Sequence, residues 1–191
     1  MTRPTRFDEV VGQEGAVTLL LKTARKPLPA YLLVGPPSTG KTSCARLFAR
    51  AILGEEKETF NLIDVNCGRG LEAVRYVRDL VAHVSDRRVI ILEEAQQLTG
   101  AGFTQLLGPL EDSPKTHFIL TTTNIDGIPA AVQSRCLRVN FLPIPARVIF
   151  DYMKSMTTTL DATTLKRIAL DAKGSMRDAL IALEGTEVLA T

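Results

Sequence analysis

The chain holds 191 residues, 45% of them apolar and 23% charged, with 23 Lys and Arg against 21 Asp and Glu for a net charge of +2. That length suits one sizeable core, or a core with a small satellite. The composition excludes wholesale disorder, and the charge balance excludes a polybasic protein while leaving room for a local basic surface.

The elements alternate along the chain. Apolar runs expected as buried strands are Ala30 to Val34, Phe60 to Val65, Arg88 to Leu92, His117 to Thr123 and Cys136 to Phe141. Helical patterns fall at Glu14 to Arg25, Thr42 to Leu53 and Leu71 to Val84, with a weaker one at Ala101 to Leu110 that Gly108 and Pro109 should fray. After "LPIPA", Leu142 to Ala146, the strands stop and helices are expected near Arg147 to Ser155, Asp161 to Ala172 and Ser175 to Leu189. Strands alternating with helices imply an α/β fold with a parallel sheet. A boundary near Pro143 to Pro145 divides an α/β domain, 1–143, from a helical domain, 144–191.

Three cysteines, Cys44, Cys67 and Cys136, lie far apart with no paired metal-ligand spacing, which suits a reducing compartment. The start "MTRPTRFDEV" has no signal-peptide core, and no apolar run approaches a membrane span. The expected location is the cytoplasm, with no membrane partner. His83 and His117 stand without ligand partners and are assigned no chemistry.

The most specific motif is "GPPSTGKTS", Gly35 to Ser43, which fits G-x-x-x-x-G-K-[ST] between a strand and an amphipathic helix. Gly35 and Gly40 permit the turn that aims backbone N–H groups at phosphate oxygens. The helix N-terminus adds its positive dipole end. Lys41 suits the β- and γ-phosphates and the Thr42 hydroxyl suits Mg²⁺, while Pro36, Pro37, Ser38, Thr39 and Ser43 complete the loop, Ser38 as a small spacer. Later, "VIILEE" ends four apolar residues in Glu93 and Glu94. In phosphate-loop enzymes an acid ending a neighbouring strand orients the metal, and another polarises the attacking water. Read without the loop, the two acids are equally a solvated strand end.

With these motifs in order, the sequence resembles the AAA+ ATPases, specifically the subunits of DNA sliding-clamp loaders. "RPTRFDEVVGQEGAV" is similar to the family's N-terminal segment, whose apolar pair, here Val10 and Val11, lies against adenine. "TTTNIDGIPAAVQSRC", Thr121 to Cys136, and "GSMRDAL", Gly174 to Leu180, complete the likeness, with "SRC" its most discriminating part. The resemblance implies a five-stranded parallel sheet with a three-helix lid, and ATP and Mg²⁺ as ligands. It places Asn124 at the sensor-1 position near the γ-phosphate, Arg135 as an arginine finger reaching into an adjacent subunit, and Arg177 as sensor 2 on the lid. Each has an ordinary alternative: Asn124 as the start of a turn, the two arginines as surface residues.

The implied activity is ATP-dependent opening and loading of a sliding clamp onto primer-template DNA, with other loader subunits, the clamp and the DNA backbone as partners. "NCGRGLEAVRYVRDL", Asn66 to Leu80, resembles the replication factor C segment that faces duplex DNA, two residues shorter. It places Arg69 and Gly70 at a helix mouth, though Glu72 and Asp79 lie at pairing distance along the helix from Arg75 and make a salt-bridged surface an equal reading. Bacterial gamma and tau subunits carry a four-cysteine zinc segment that is missing here, which points towards the viral, archaeal and eukaryotic type.

Two departures qualify the likeness. Glu93 stands where the family usually has Asp, and one methylene moves a carboxylate by about 1.5 Å, a misplacement able to cost about a hundredfold in rate. The sequence also ends at Thr191, where the lid should close and the family's helical collar should follow, so it is either a piece or a short form. The competing functions are a non-hydrolysing ATP-binding scaffold and another AAA+ remodeller such as a branch-migration motor.

Overall fold

The computed structural model describes residues 3–54, 61–82 and 86–190. Phe60, His83 and Val84 lie outside the described residues.

Five parallel strands form one sheet: β1 (Ala30–Val34), β2 (Leu62–Asn66), β3 (Arg88–Glu93), β4 (Thr116–Thr122) and β5 (Leu137–Asn140), in the order β2-β3-β4-β1-β5. The helices are α1 (Glu14–Ala24), α2 (Lys41–Leu53), α3 (Leu71–Ala82), α4 (Gly100–Glu111), α5 (Ala130–Gln133), α6 (Ala146–Met156), α7 (Ala162–Asp171) and α8 (Met176–Ala190). The central strands β1 and β4 are buried along their whole length, while the edge strand β5 buries only Val139. This matches the near-continuous apolar runs of a sheet covered on both faces.

Alternate residues of each strand feed opposite layers. Leu32, Ile90, Leu92, Phe118 and Leu120 pack towards α3 and α4, against Val74, Val77, Phe103 and Leu106. Tyr31, Leu33, Ile91, Ile119 and Val139 pack towards α1 and α2, against Leu20, Phe48 and Ile52. Tyr31 meets Phe48 edge to face at 4.7 Å, and its hydroxyl accepts from the Leu28 N–H at 2.9 Å, so the buried phenol keeps a polar partner. Register ties the layers together: Leu32 is opposite Leu120, and Ile90 opposite Phe118. A third cluster, with Ile149, Met153, Leu165, Ile168 and Leu183, lies among α6, α7 and α8. The Asp161 carboxylate caps α7 by accepting from Thr164 N–H at 2.8 Å.

Several expectations are corrected. Gly108 and Pro109 do not fray α4, which runs unbroken to Glu111. Pro109 forfeits one backbone hydrogen bond, while burial of Phe103, Leu106 and Leu110 holds the helix to the sheet at about 2 kcal/mol each. Strand β3 runs one residue further than its apolar run, through Glu93, because Asn66 of β2 is its register partner. The four-residue α5 and the 3₁₀ turns at Phe7–Glu9, Cys67–Arg69, Ala95–Gln97 and Ile125–Gly127 are too short to leave a periodic trace. Burial pushes the thiols of Cys44, Cys67 and Cys136 up to about 12, leaving them as small apolar groups. Among the described residues no helix is long and apolar enough to cross a membrane.

Candidate nucleotide site

Three adjacent strands, β3, β4 and β1, end on the same side of the sheet. Their carboxyl ends, where ligands of such sheets bind, open into a cavity of about 570 Å³ that α6 and α8 cover from the other side.

The loop after β1 forms the floor. A Cβ on Gly35 would lie 2.3 Å from the Phe141 carbonyl oxygen, so only glycine lets the loop leave the sheet here. Gly40, at φ +95°, is the N-cap of α2 and brings no side chain to the first-turn N–H groups. Those donors are therefore available to an anion. Lys41 is buried, and its Nζ donates to the carbonyls of Gly35 at 2.8 Å and Pro36 at 2.6 Å. Burial lowers its pKa, and the Glu94 carboxylate works in the opposite direction. Ser38 is more than a spacer: it holds φ +60°, and its carbonyl accepts from the Met176 N–H of α8 at 3.3 Å.

The acidic wall is the end of β3. Glu93 and Glu94 both line the cavity, as do Pro37, Ser38, Thr39, Gly40, Lys41, Thr42 and Ser43 of the loop. Arg46 of α2 reaches Asp64 at 3.0 Å and Glu93 at 3.5 Å. Glu94 sits at φ +55°, a left-handed conformation costing about 1–2 kcal/mol in a residue with a Cβ. Its N–H donates to the Thr121 hydroxyl at 3.3 Å, and its carboxylate accepts from the Gln96 side chain at 2.5 Å.

The lining also includes apolar side chains. Val10 and Val11 line the cavity with Ile144, Tyr152 and Leu180, and Arg177 enters from the first turn of α8. Among the described residues no carboxylate pairs with Arg177. The N-terminal segment is anchored by Gln13, whose carboxamide donates to Leu142 O at 2.7 Å and accepts from Leu142 N–H at 3.2 Å.

Four expected residues do not line the cavity. Gly35 and Pro36 stand behind it, serving Lys41 through their carbonyls. Asn124 caps the 3₁₀ turn after β4, its Oδ1 accepting from Asp126 N–H at 3.0 Å. Arg135 lies elsewhere, ion-paired with Glu111 of α4 and donating to Ala131 O at 2.6 Å. The sequence reading missed Arg3, Glu9, Thr121, Thr123 and Tyr152 on the wall. Thr121 and Thr123 lie just before Asn124, and their place near Glu94 depends on β4 lying beside β3, which no local pattern reveals.

The family described as "ATPase family associated with various cellular activities (AAA)" matches residues 31–144. The chain belongs to the AAA ATPase family. This AAA chain is 34% identical over 95% of its length to the DNA polymerase III subunit tau of Bacillus subtilis, covering 38% of that protein. It is 30% identical over 98% of its length to the replication factor C small subunit of Thermofilum pendens, covering 62% of it. It thus spans about two-fifths to three-fifths of these relatives, and identity alone does not set it on the replication factor C side. Among solved structures, the Thermotoga maritima RuvB Holliday junction branch migration motor superposes with a TM-score of 0.79 at 19% identity, over 95% of this chain and 64% of that one, a likeness of fold.

The AAA site fits a nucleoside triphosphate. Uncapped helix donors and a buried lysine held by loop carbonyls make a cradle for phosphates, and the apolar lining residues suit a base. A magnesium ion shared with phosphate oxygens needs only one or two protein ligands, and Thr42 and Glu93 stand on the wall to supply them.

Proposed function

We propose that the chain is an ATP-hydrolysing subunit of a sliding-clamp loader, in which ATP binding organises neighbouring subunits around primer-template DNA and holds a ring-shaped clamp open. The observation that supports this most is the meeting of Lys41, Glu94 and Arg177 on one cavity, with Arg135 on a different face. An arginine outside its own site is where a residue serving a neighbouring subunit has to be.

In this reading Lys41 leaves its loop carbonyls for the β- and γ-phosphates, and the first-turn N–H groups of α2 donate to phosphate oxygens. Magnesium held by Thr42 and Glu93 supplies charge neutralisation when bound. Glu94 accepts the proton of the attacking water, with Asn124 aiding its placement from the edge of the site. Arg135 of the next subunit and Arg177 of the lid bring permanent charge to the transferring phosphoryl group. Val10 and Val11 lie against adenine. The chain divides into a nucleotide-binding unit, 1–143, and a helical lid, 144–191, and Met176 donating to Ser38 links the lid to the phosphate loop. Arg69, Arg75 and Arg78, exposed on or beside α3, meet DNA phosphates.

The test is magnesium-dependent ATP turnover by the purified chain, with and without primer-template DNA and the replication clamp of its source. Stimulation by both together and retention of the clamp on an ATP-loaded column are expected; turnover indifferent to clamp and DNA overturns the reading. One observation favours a second reading, a non-hydrolysing scaffold: Arg46 already occupies Glu93. Tight ATP binding with no turnover in the full mixture would establish it.

A further inference from the structure

We infer that Gln96 is a positioning residue for Glu94, a fixed clamp that sets the carboxylate for its work on the attacking water. The inference rests on the proposed role of Glu94 and adds a residue to it.

Gln96 lies in the 3₁₀ turn that follows β3, two residues past Glu94, and is half-buried. Its Nε2 donates to Glu94 Oε2 at 2.5 Å and to the Thr123 hydroxyl at 3.1 Å, while its Oε1 accepts from the Thr122 hydroxyl at 2.7 Å. The Glu94 carboxylate can only accept, so the nitrogen must face it and the carboxamide orientation is fixed; the single Thr122 hydroxyl proton is shared between Gln96 Oε1 and the Asn124 carbonyl at 2.8 Å. Thr122 is buried at the end of β4, so the clamp is anchored in the sheet and not in a loose side chain. A Cβ on Gly127 would lie 3.0 Å from the Gln96 Cβ, so the next turn closes over it tightly.

A glutamate at the tip of a strand has three rotatable side-chain bonds and, at Glu94, a left-handed backbone that points it away from the strand's own alternation. The clamp removes that freedom. Holding one carboxylate oxygen leaves the other as proton acceptor. A donor that orients the acting group without touching substrate is the arrangement that typically tunes active-site side chains.

The test compares Gln96→Ala with wild type in two backgrounds, native and Glu94→Gln, measuring single-turnover ATP hydrolysis and the Kd of a fluorescent ADP analogue. In the native background turnover should fall about tenfold to a hundredfold with Kd within about twofold. In the Glu94→Gln background the same change should alter residual turnover by less than about twofold, because the clamp has lost what it holds. Equal factors in both backgrounds, or no loss in the native one, overturn the clamp. Gln96→Glu, similar in size but lacking the donor, should match Gln96→Ala, and wild-type turnover in it also overturns the clamp even if the alanine variant melts early. Glu94→Gln at wild-type turnover, or no turnover in the wild type, overturns the role of Glu94 and the clamp together, an outcome distinct from loss of the clamp alone.

Discussion

Arg46 binds Glu93, its Nη2 3.5 Å from Glu93 Oε1, while the same nitrogen lies 3.0 Å from Asp64. The guanidinium thus spans β2 and β3 from the helix that carries the phosphate loop. Its Nε is buried without a hydrogen-bond partner, so the side chain is held at some cost. A fixed cation beside Glu93 opposes a divalent ion that needs the same carboxylate. Arg46→Met should therefore lower the magnesium concentration for half-maximal turnover by about threefold, the scale of a partly exposed ion pair. Titrating magnesium into both proteins checks this; an increased requirement would mean that Arg46 organises Glu93 for the metal.

Arg135 is bound to Glu111 of its own chain and cannot serve a neighbour without leaving it. Arg135→Ala should abolish hydrolysis in the assembled state and leave nucleotide binding unchanged. Glu111→Gln should raise assembled turnover by about twofold to fivefold, since both groups are partly exposed and the pair is worth about 1 kcal/mol or less. Turnover of the reconstituted assembly with each variant decides both points; normal assembled activity in Arg135→Ala removes its trans role.

Much of this was legible in the sequence, but unevenly. Buried strands such as "AYLLV" and the loop from Gly35 to Ser43 carry their own signals, because burial on both faces and phosphate chemistry each restrict residue type locally. Arg46 with Asp64, Gln96 with Thr122, and Gln13 with Leu142 are different. They join elements 18, 26 and 129 residues apart, and they exist because β3 lies between β2 and β4 and because the chain returns to α1 after β5. Strand order has no local signature, so these contacts needed the fold. Asn124 shows the converse: the turn-forming reading of "TNIDG" describes its side chain in this structure.

His117 gives stability a pH dependence. Its Nδ1 lies 2.9 Å from the Leu28 carbonyl, so that nitrogen carries the proton and donates. Burial lowers its pKa, the Leu28 carbonyl opposes this, and Arg87 lowers it further. Unfolding releases the imidazole to an ordinary pKa of about 6.5, so below that pH the unfolded chain binds a proton that the folded chain does not. Stability is therefore full above about pH 6.5 and is lost as pH falls, by at most about 1.4 kcal/mol per unit until the folded group also titrates. Urea midpoints at pH 7.5 and 5.5 should drop more for wild type than for His117→Gln, and parallel drops would exclude His117 as the cause.

The role proposed for Glu94 is to drive ATP hydrolysis in the cavity lined by the strand ends, α6 and α8. Its most direct test is magnesium-dependent ATP turnover by wild type and Glu94→Gln in the presence of clamp and primer-template DNA, with ATP affinity measured alongside. Turnover lost by about a hundredfold or more with affinity unchanged is the predicted result. Equal turnover in the two proteins would contradict it.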